Sequence, residues 1–149
     1  MKFELIDNDF SLLIEPLKLM FPDAQTDWDK NTISTKIIIN AGGFKADYIA
    51  EIMTVDFEKF KQGLKRLYDN LGGYTNFDCL ERYLTIKIKG DGLGHFNANC
   101  EAIDNPGFEE SRLSFTLHFD QTQINDLVYQ LDLITKKFPI KGDFKIKNE

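Results

Sequence analysis

Histidine and cysteine are scarce in this chain: 149 residues hold two of each, and one tryptophan. Cys79 and Cys100 stand far apart without a metal-ligand spacing. They read as two buried, reduced thiols of a cytosolic protein. A metal site would want His95 and His118 paired with carboxylates on one face, and each reads instead as a structural or solvent-facing histidine. No local signature sets Ser or Cys beside His with an orienting carboxylate, so no nucleophilic triad is expected. No apolar run approaches ~18 residues, so no membrane-spanning helix is expected. No charged-then-apolar leader precedes Phe3, so secretion is not expected. Positive charge is also short. Eighteen Lys and Arg stand against 24 Asp and Glu, a net −6. An acidic surface repels nucleic acid and anionic membranes and attracts basic partners.

Phenylalanine, by contrast, is abundant at 13 copies, and large aromatics suit sheets and helix–sheet gaps. The stretch Ser111 to Pro139 organises the rest. Leu113, Phe115, Leu117 and Phe119 alternate with polar residues, giving a strand with one apolar face. At Asp120 the period changes, and Ile124, Leu127, Val128, Leu131 and Ile134 recur at helical spacing. Asp120 and Gln123 have the spacing of a capping box, and Pro139 stops the helix.

Upstream, Lys2 to Ile6 and Phe10 to Met20 read as strands around an Asp7-Asn8-Asp9 turn. In the second, Leu12 and Ile14 face inward, with Leu17 and Leu19 as further candidates, and Pro16 marks an edge or bulge. Pro22 to Asn31 reads as a polar loop. Ile33 to Asn40 and Phe44 to Met53 form a hairpin. Thr54 is expected to cap a helix striped by Phe57, Phe60, Leu64, Leu67 and Leu71, with Gly72-Gly73 as a left-handed end. Gly63 weakens that helix by roughly 1 kcal/mol against Ala, a cost consistent with close approach to the sheet. Tyr74 to Asp78, Glu81 to Lys89 and His95 to Asp104 are further strands, and Asn105 to Glu110 is a loop. The turns are too short for parallel crossovers. The expected fold is α+β. It has a mainly antiparallel sheet of about seven or eight strands and two amphipathic helices, in the order ββββ-α-ββββ-α. The helices are expected at Val55 to Leu71 and Thr122 to Phe138. One domain covers residues 1–149, with 141–149 as a charged, frayed tail.

Few residues suggest chemistry. Gly90-Asp91-Gly92-Leu93-Gly94 lacks the helix behind it that a phosphate cradle needs, so it reads as a hairpin turn. The acidic groups at Asp27 and Asp29, at Asp104, and at Glu109 and Glu110 lie in polar loops, where carboxylates stay solvated rather than becoming general acids. Two such loops suit a protein partner better than a reaction. One is Asp23 to Asp29, where Asp27 and Asp29 flank Trp28. The other is Asp104 to Glu110, with Phe108, Glu109 and Glu110. Aromatic anchors amid steering charge mark interfaces, although a tryptophan sealing the core is the commoner finding.

Taken together, several stretches resemble one family. They are Trp28; Ile37-Ile38-Ile39 with Gly42-Gly43-Phe44; and Val55-Asp56-Phe57-Glu58-Lys59-Phe60 with Leu64 and Leu67-Tyr68. Leu84-Thr85-Ile86, Gly94-His95-Phe96 and Phe119-Asp120-Gln121-Thr122 complete the set. The pattern, from about Trp28 to about Ile134, is similar to the immunity proteins of the wall-associated WapI toxin system. The resemblance implies a cytoplasmic, non-enzymatic protein without a cofactor. Such a protein neutralises a cognate toxin domain, often a nuclease and so basic, that is delivered by cell contact. The matched motifs are structural, so the specificity surface is expected outside them. Two rival readings are a cytosolic interaction or assembly module, and a small-molecule binder or enzyme with a cleft near His95 or His118.

Overall fold

The structure, a computed structural model, describes residues 1–144 and residue 146. Four strands come first: β1 (Phe3–Asp7), β2 (Phe10–Leu19), β3 (Thr32–Ala41) and β4 (Phe44–Met53). Helix α1 (Asp27–Lys30) lies between β2 and β3, and α2 (Thr54–Asn70) follows β4. A second set of four follows: β5 (Gly72–Asp78), β6 (Leu84–Asp91), β7 (His95–Ile103) and β8 (Arg112–Asp120), leading into α3 (Gln121–Lys137). The fold is α+β. Every neighbouring pair of strands runs antiparallel, and the order ββββ-α-ββββ-α is present.

The eight strands form two sheets of four, β1-β2-β3-β4 and β5-β6-β7-β8, rather than one. The reason is α2, which separates β4 from β5. Strand β5 starts a new ladder with β6, Gly72 opposite Asp91. One hydrophobic cluster nonetheless draws on both sheets and both long helices. Phe60 of α2 sits at its centre, 5.4 Å from the ring of Phe3 on β1 and 5.3 Å from that of Phe77 on β5. Burying one such ring contributes roughly 2–3 kcal/mol. The expected stripes do the covering. Phe57, Phe60, Leu64 and Leu67 of α2 are buried, as are Ile124, Leu127, Leu131 and Ile134 of α3.

Several local expectations change. The polar loop before β3 contains α1, whose N-terminus is capped by Thr26, because its side chain accepts the Asp29 amide. Thr54 does not cap α2. It is buried and donates to Asn31 Oδ1 at 2.8 Å, while Asp56 Oδ2 accepts the Met53 amide. The left-handed residue ending α2 is Leu71, at φ 58, and Gly72 already belongs to β5. The bulge expected at Pro16 is present as a register shift between Pro16 and Lys18, and it turns Leu17 outward.

The tail expected to fray begins at Lys141, and residues 145 and 147–149 lie outside the described residues. Lys141, Asp143 and Phe144 contact the Asp27–Asn31 segment through Asn31, Asp27 and Trp28.

Candidate functional site

The two acidic segments sit in different parts of the molecule. The first is built around α1. Asp23 is exposed in the turn before it, and Asp29 is exposed on its first turn. Asp27 is partly occupied: Lys30 lies 3.8 Å from Oδ1, and Oδ2 accepts the Asp143 amide at 3.2 Å. Trp28 does not seal the core. It is 55% exposed. Its ring meets Phe144 edge-on at 5.4 Å.

The second segment is a self-organised loop between β7 and β8. Asp104 Oδ1 accepts the Ser111 amide at 2.8 Å. Asn105 Nδ2 donates to the Phe108 carbonyl at 2.6 Å, and Glu110 Oε2 accepts the Gly107 amide at 3.0 Å. Glu109 takes a left-handed backbone, φ 47, and Phe108 is left 68% exposed. Bonds from the Gly107 amide and from Arg112 hold the Glu110 carboxyl below its ordinary range. The loop therefore holds its own backbone and leaves the Phe108 ring exposed beside the Asp104, Glu109 and Glu110 carboxylates.

Strand β4 separates the two segments. Its Met53 end adjoins Asn31, whose carbonyl accepts the Thr54 amide. Its first half instead lines a cleft of about 400 Å³ with Asp104, Ser111 and Arg112. From Tyr48 to Met53 the strand runs on the order of 17 Å.

The remaining candidates make contacts within the fold. Gly90 to Gly94 lies in the β6–β7 hairpin. Asp91 organises it by accepting the amides of Leu93 at 2.7 Å and His95 at 3.1 Å. His95 Nδ1 lies 3.0 Å from the same carboxylate. His118 meets Asp7 through both its amide, at 2.8 Å, and its ring nitrogen, at 3.2 Å, which ties β8 to β1. Cys79 and Cys100 are free and buried, and burial pushes both thiols up to about 12. Among the described residues, no group of three or more His, Cys, Asp or Glu side chains is placed to hold a metal ion. No described helix is long and apolar enough to cross a membrane.

Sequence reasoning missed the groups that bring the β4 cleft together. The Tyr48 hydroxyl donates to the Tyr83 carbonyl at 2.6 Å, and the Ile103 amide reaches that same carbonyl at 3.0 Å. Desolvation, with Cys79 and Asp104 nearby, raises the Tyr48 hydroxyl above its ordinary value. It therefore remains a donor. No local pattern signals this, because Tyr48 and Tyr83 are 35 residues apart. The exposed Leu80 carries no assignment in the sequence reading, and the exposed Phe44 figures there only as a hairpin and motif residue.

A solved structure of the plant transcriptional regulator PBF-2 is similar to this chain, with a TM-score of 0.50 and 11% identity. The match covers 93% of this chain and 81% of that one. At that identity the likeness concerns the fold alone. No curated protein matches the chain. The model of the immunity protein WapI-like family, however, matches residues 3–139, nearly the whole length. The chain belongs to the WapI-like immunity protein family.

Proposed function

We propose that this protein binds and neutralises one cognate toxin domain, a basic nuclease, in the cytoplasm of the cell that makes it, and does so without catalysing a reaction. The family match over residues 3–139 carries this reading. The charge supports it independently. A nuclease that grips phosphates presents basic surface, and a net −6 protein can be steered onto it. Ordered carboxylates around an exposed aromatic ring suit such a contact. Asp104, Phe108, Glu109 and Glu110 offer that arrangement, and Asp23, Asp27, Trp28 and Asp29 offer a second, partly occupied one. No nucleic acid or membrane is needed as a partner, and no cofactor.

The test is protection. Cells expressing the cognate toxin domain should grow when this chain is co-expressed, and the two proteins should co-purify. Continued killing despite full expression of a folded chain would overturn the proposal. An assembly module without a toxin partner would give that result.

A further inference from the structure

Helix α1 has little to hold it. So short a helix does not persist on its own in water, and none of its residues is buried. Thr26 caps its N-terminus. At its other end the side chains of Asn31 and Thr32 donate to the Asp27 and Trp28 carbonyls, at 2.7 Å and 2.9 Å. The remaining support comes from the chain beyond α3. Asn31 Nδ2 donates to the Lys141 carbonyl at 2.7 Å, and Asn31 Oδ1 accepts the Lys141 amide at 2.8 Å. Asp27 Oδ2 accepts the Asp143 amide at 3.2 Å. The Phe144 ring stands edge-on to Trp28, with centroids 5.4 Å apart. All of these contacts but the last use main-chain atoms of the tail, so they depend on its path more than on its side chains.

Gly142 sets that path. Its φ of 79 is left-handed, and a Cβ built there would run into the Asp27 carboxyl group. A residue with a side chain at this position cannot take the same course without moving Asp27. The contacts are also reversible. If the tail leaves, Asn31 keeps the Asp27 carbonyl and the Thr54 hydroxyl as partners, and Asp27 keeps Lys30 at 3.8 Å. A few hydrogen bonds and one ring contact oppose the entropy of ordering a short segment, and these terms are of similar size.

We infer that residues 141–144 are a strap that seats on α1 and releases as a unit, and that α1 keeps its helix and Trp28 its place only while the strap is seated. The immunity reading does not enter this argument, because the family match ends at Pro139, before the strap. The strap does bear on the first acidic segment. Seated, it presents Trp28 and Asp27 in one arrangement, and an ordered side chain costs a partner less to bind than a mobile one.

Trp28 is the only tryptophan in the chain, so its fluorescence reports the strap directly. Gly142→Val and Asp143→Pro, each in the full chain, should release it. The first puts a side chain where the Asp27 carboxyl group lies, and the second removes the amide that Asp27 accepts. In both variants Trp28 emission should move to longer wavelength and become more open to acrylamide quenching. Amide exchange at Lys30 and Asn31 should quicken at least about tenfold, as expected of a local opening. Exchange in β3 and α2 should stay at the parent rate. Parent-like emission and exchange at α1 in both variants would show that α1 stands without the strap. Loss of protection in β3 and α2 together with α1 would make the tail part of the core instead. Either result overturns the inference.

Discussion

Asn31 and Lys141, 110 residues apart, hold each other by two hydrogen bonds: Asn31 Nδ2 donates to the Lys141 carbonyl at 2.7 Å, and the Lys141 amide donates to Asn31 Oδ1 at 2.8 Å. The same side chain accepts the Thr54 hydroxyl and donates to the Asp27 carbonyl. One fully buried amide thereby joins the end of α1, the start of α2 and the chain beyond α3. Buried polar groups in such a network are costly to orphan.

Asn31→Ala should therefore destabilise the fold by about 2–4 kcal/mol, since it strands several partners at once. Denaturant melts of the two proteins measure this. A midpoint within error of the parent would mean that water replaces the lost bonds without cost.

The capping box at α3 gives a second prediction. Asp120 Oδ1 accepts the Thr122 amide at 2.9 Å, and Gln123 Oε1 accepts the Asp120 amide at 3.1 Å. Asp120→Ala should lower the denaturant midpoint and fray the first turn of α3, while Asp120→Asn should retain most of the cap. Amide exchange at Thr122 reports the fraying, and equal exchange in parent and Ala variant would refute it.

Asp56 predicts an unusual pH dependence. Burial raises its carboxyl from 3.8 to about 6, a rise that Asp78 reinforces and the Met53 amide opposes. Between those values the folded state holds a proton that the unfolded chain has released. Stability from this group is therefore fully present below about pH 4 and declines until about pH 6, by roughly 3 kcal/mol in all. Asp56→Asn keeps an acceptor for Met53 and removes the titration. The stability of the variant relative to parent should rise by that order between pH 4 and pH 7, measured by urea melts. A pH-independent difference would sink the prediction.

Gly63 gives the fourth. Helix propensity alone favours Ala here by roughly 1 kcal/mol. A methyl at this position would meet Thr75 Oγ1 of β5 at 1.8 Å and its Cβ at 2.9 Å. Gly63→Ala should instead destabilise by about 1–3 kcal/mol through overpacking. A raised thermal midpoint would show that α2 and β5 can separate freely.

Much of the fold was legible because it is encoded over a few residues. The alternation from Leu113 to Phe119 and the stripe from Ile124 to Ile134 each depend only on neighbours in sequence, as do the Asp120–Gln123 cap and the Gly90–Gly94 hairpin. The places where local reading failed are those where distant groups competed. Thr54 has a good capping side chain, yet Asn31 takes it. Lys61 carries no local signal that marks it as buried. It is buried against Glu58 at 3.0 Å, and also against Asp132 and Thr135 of α3.

By itself, then, the sequence determined the order of strands and helices, which face of each is apolar, and the acidic balance that favours a basic partner. Only the tertiary structure decided how the charges are distributed. It divided eight strands into two sheets around α2 and set the two acidic segments at different ends of β4. It also joined Tyr48 and Ile103 at the Tyr83 carbonyl, which places the first half of β4 against the Asp104–Leu113 segment around one cleft. The physical reason is range. Periodicity and capping act within one or two turns of chain. Which loops become neighbours is instead set by how apolar faces pack together, and those faces come from residues tens of positions apart.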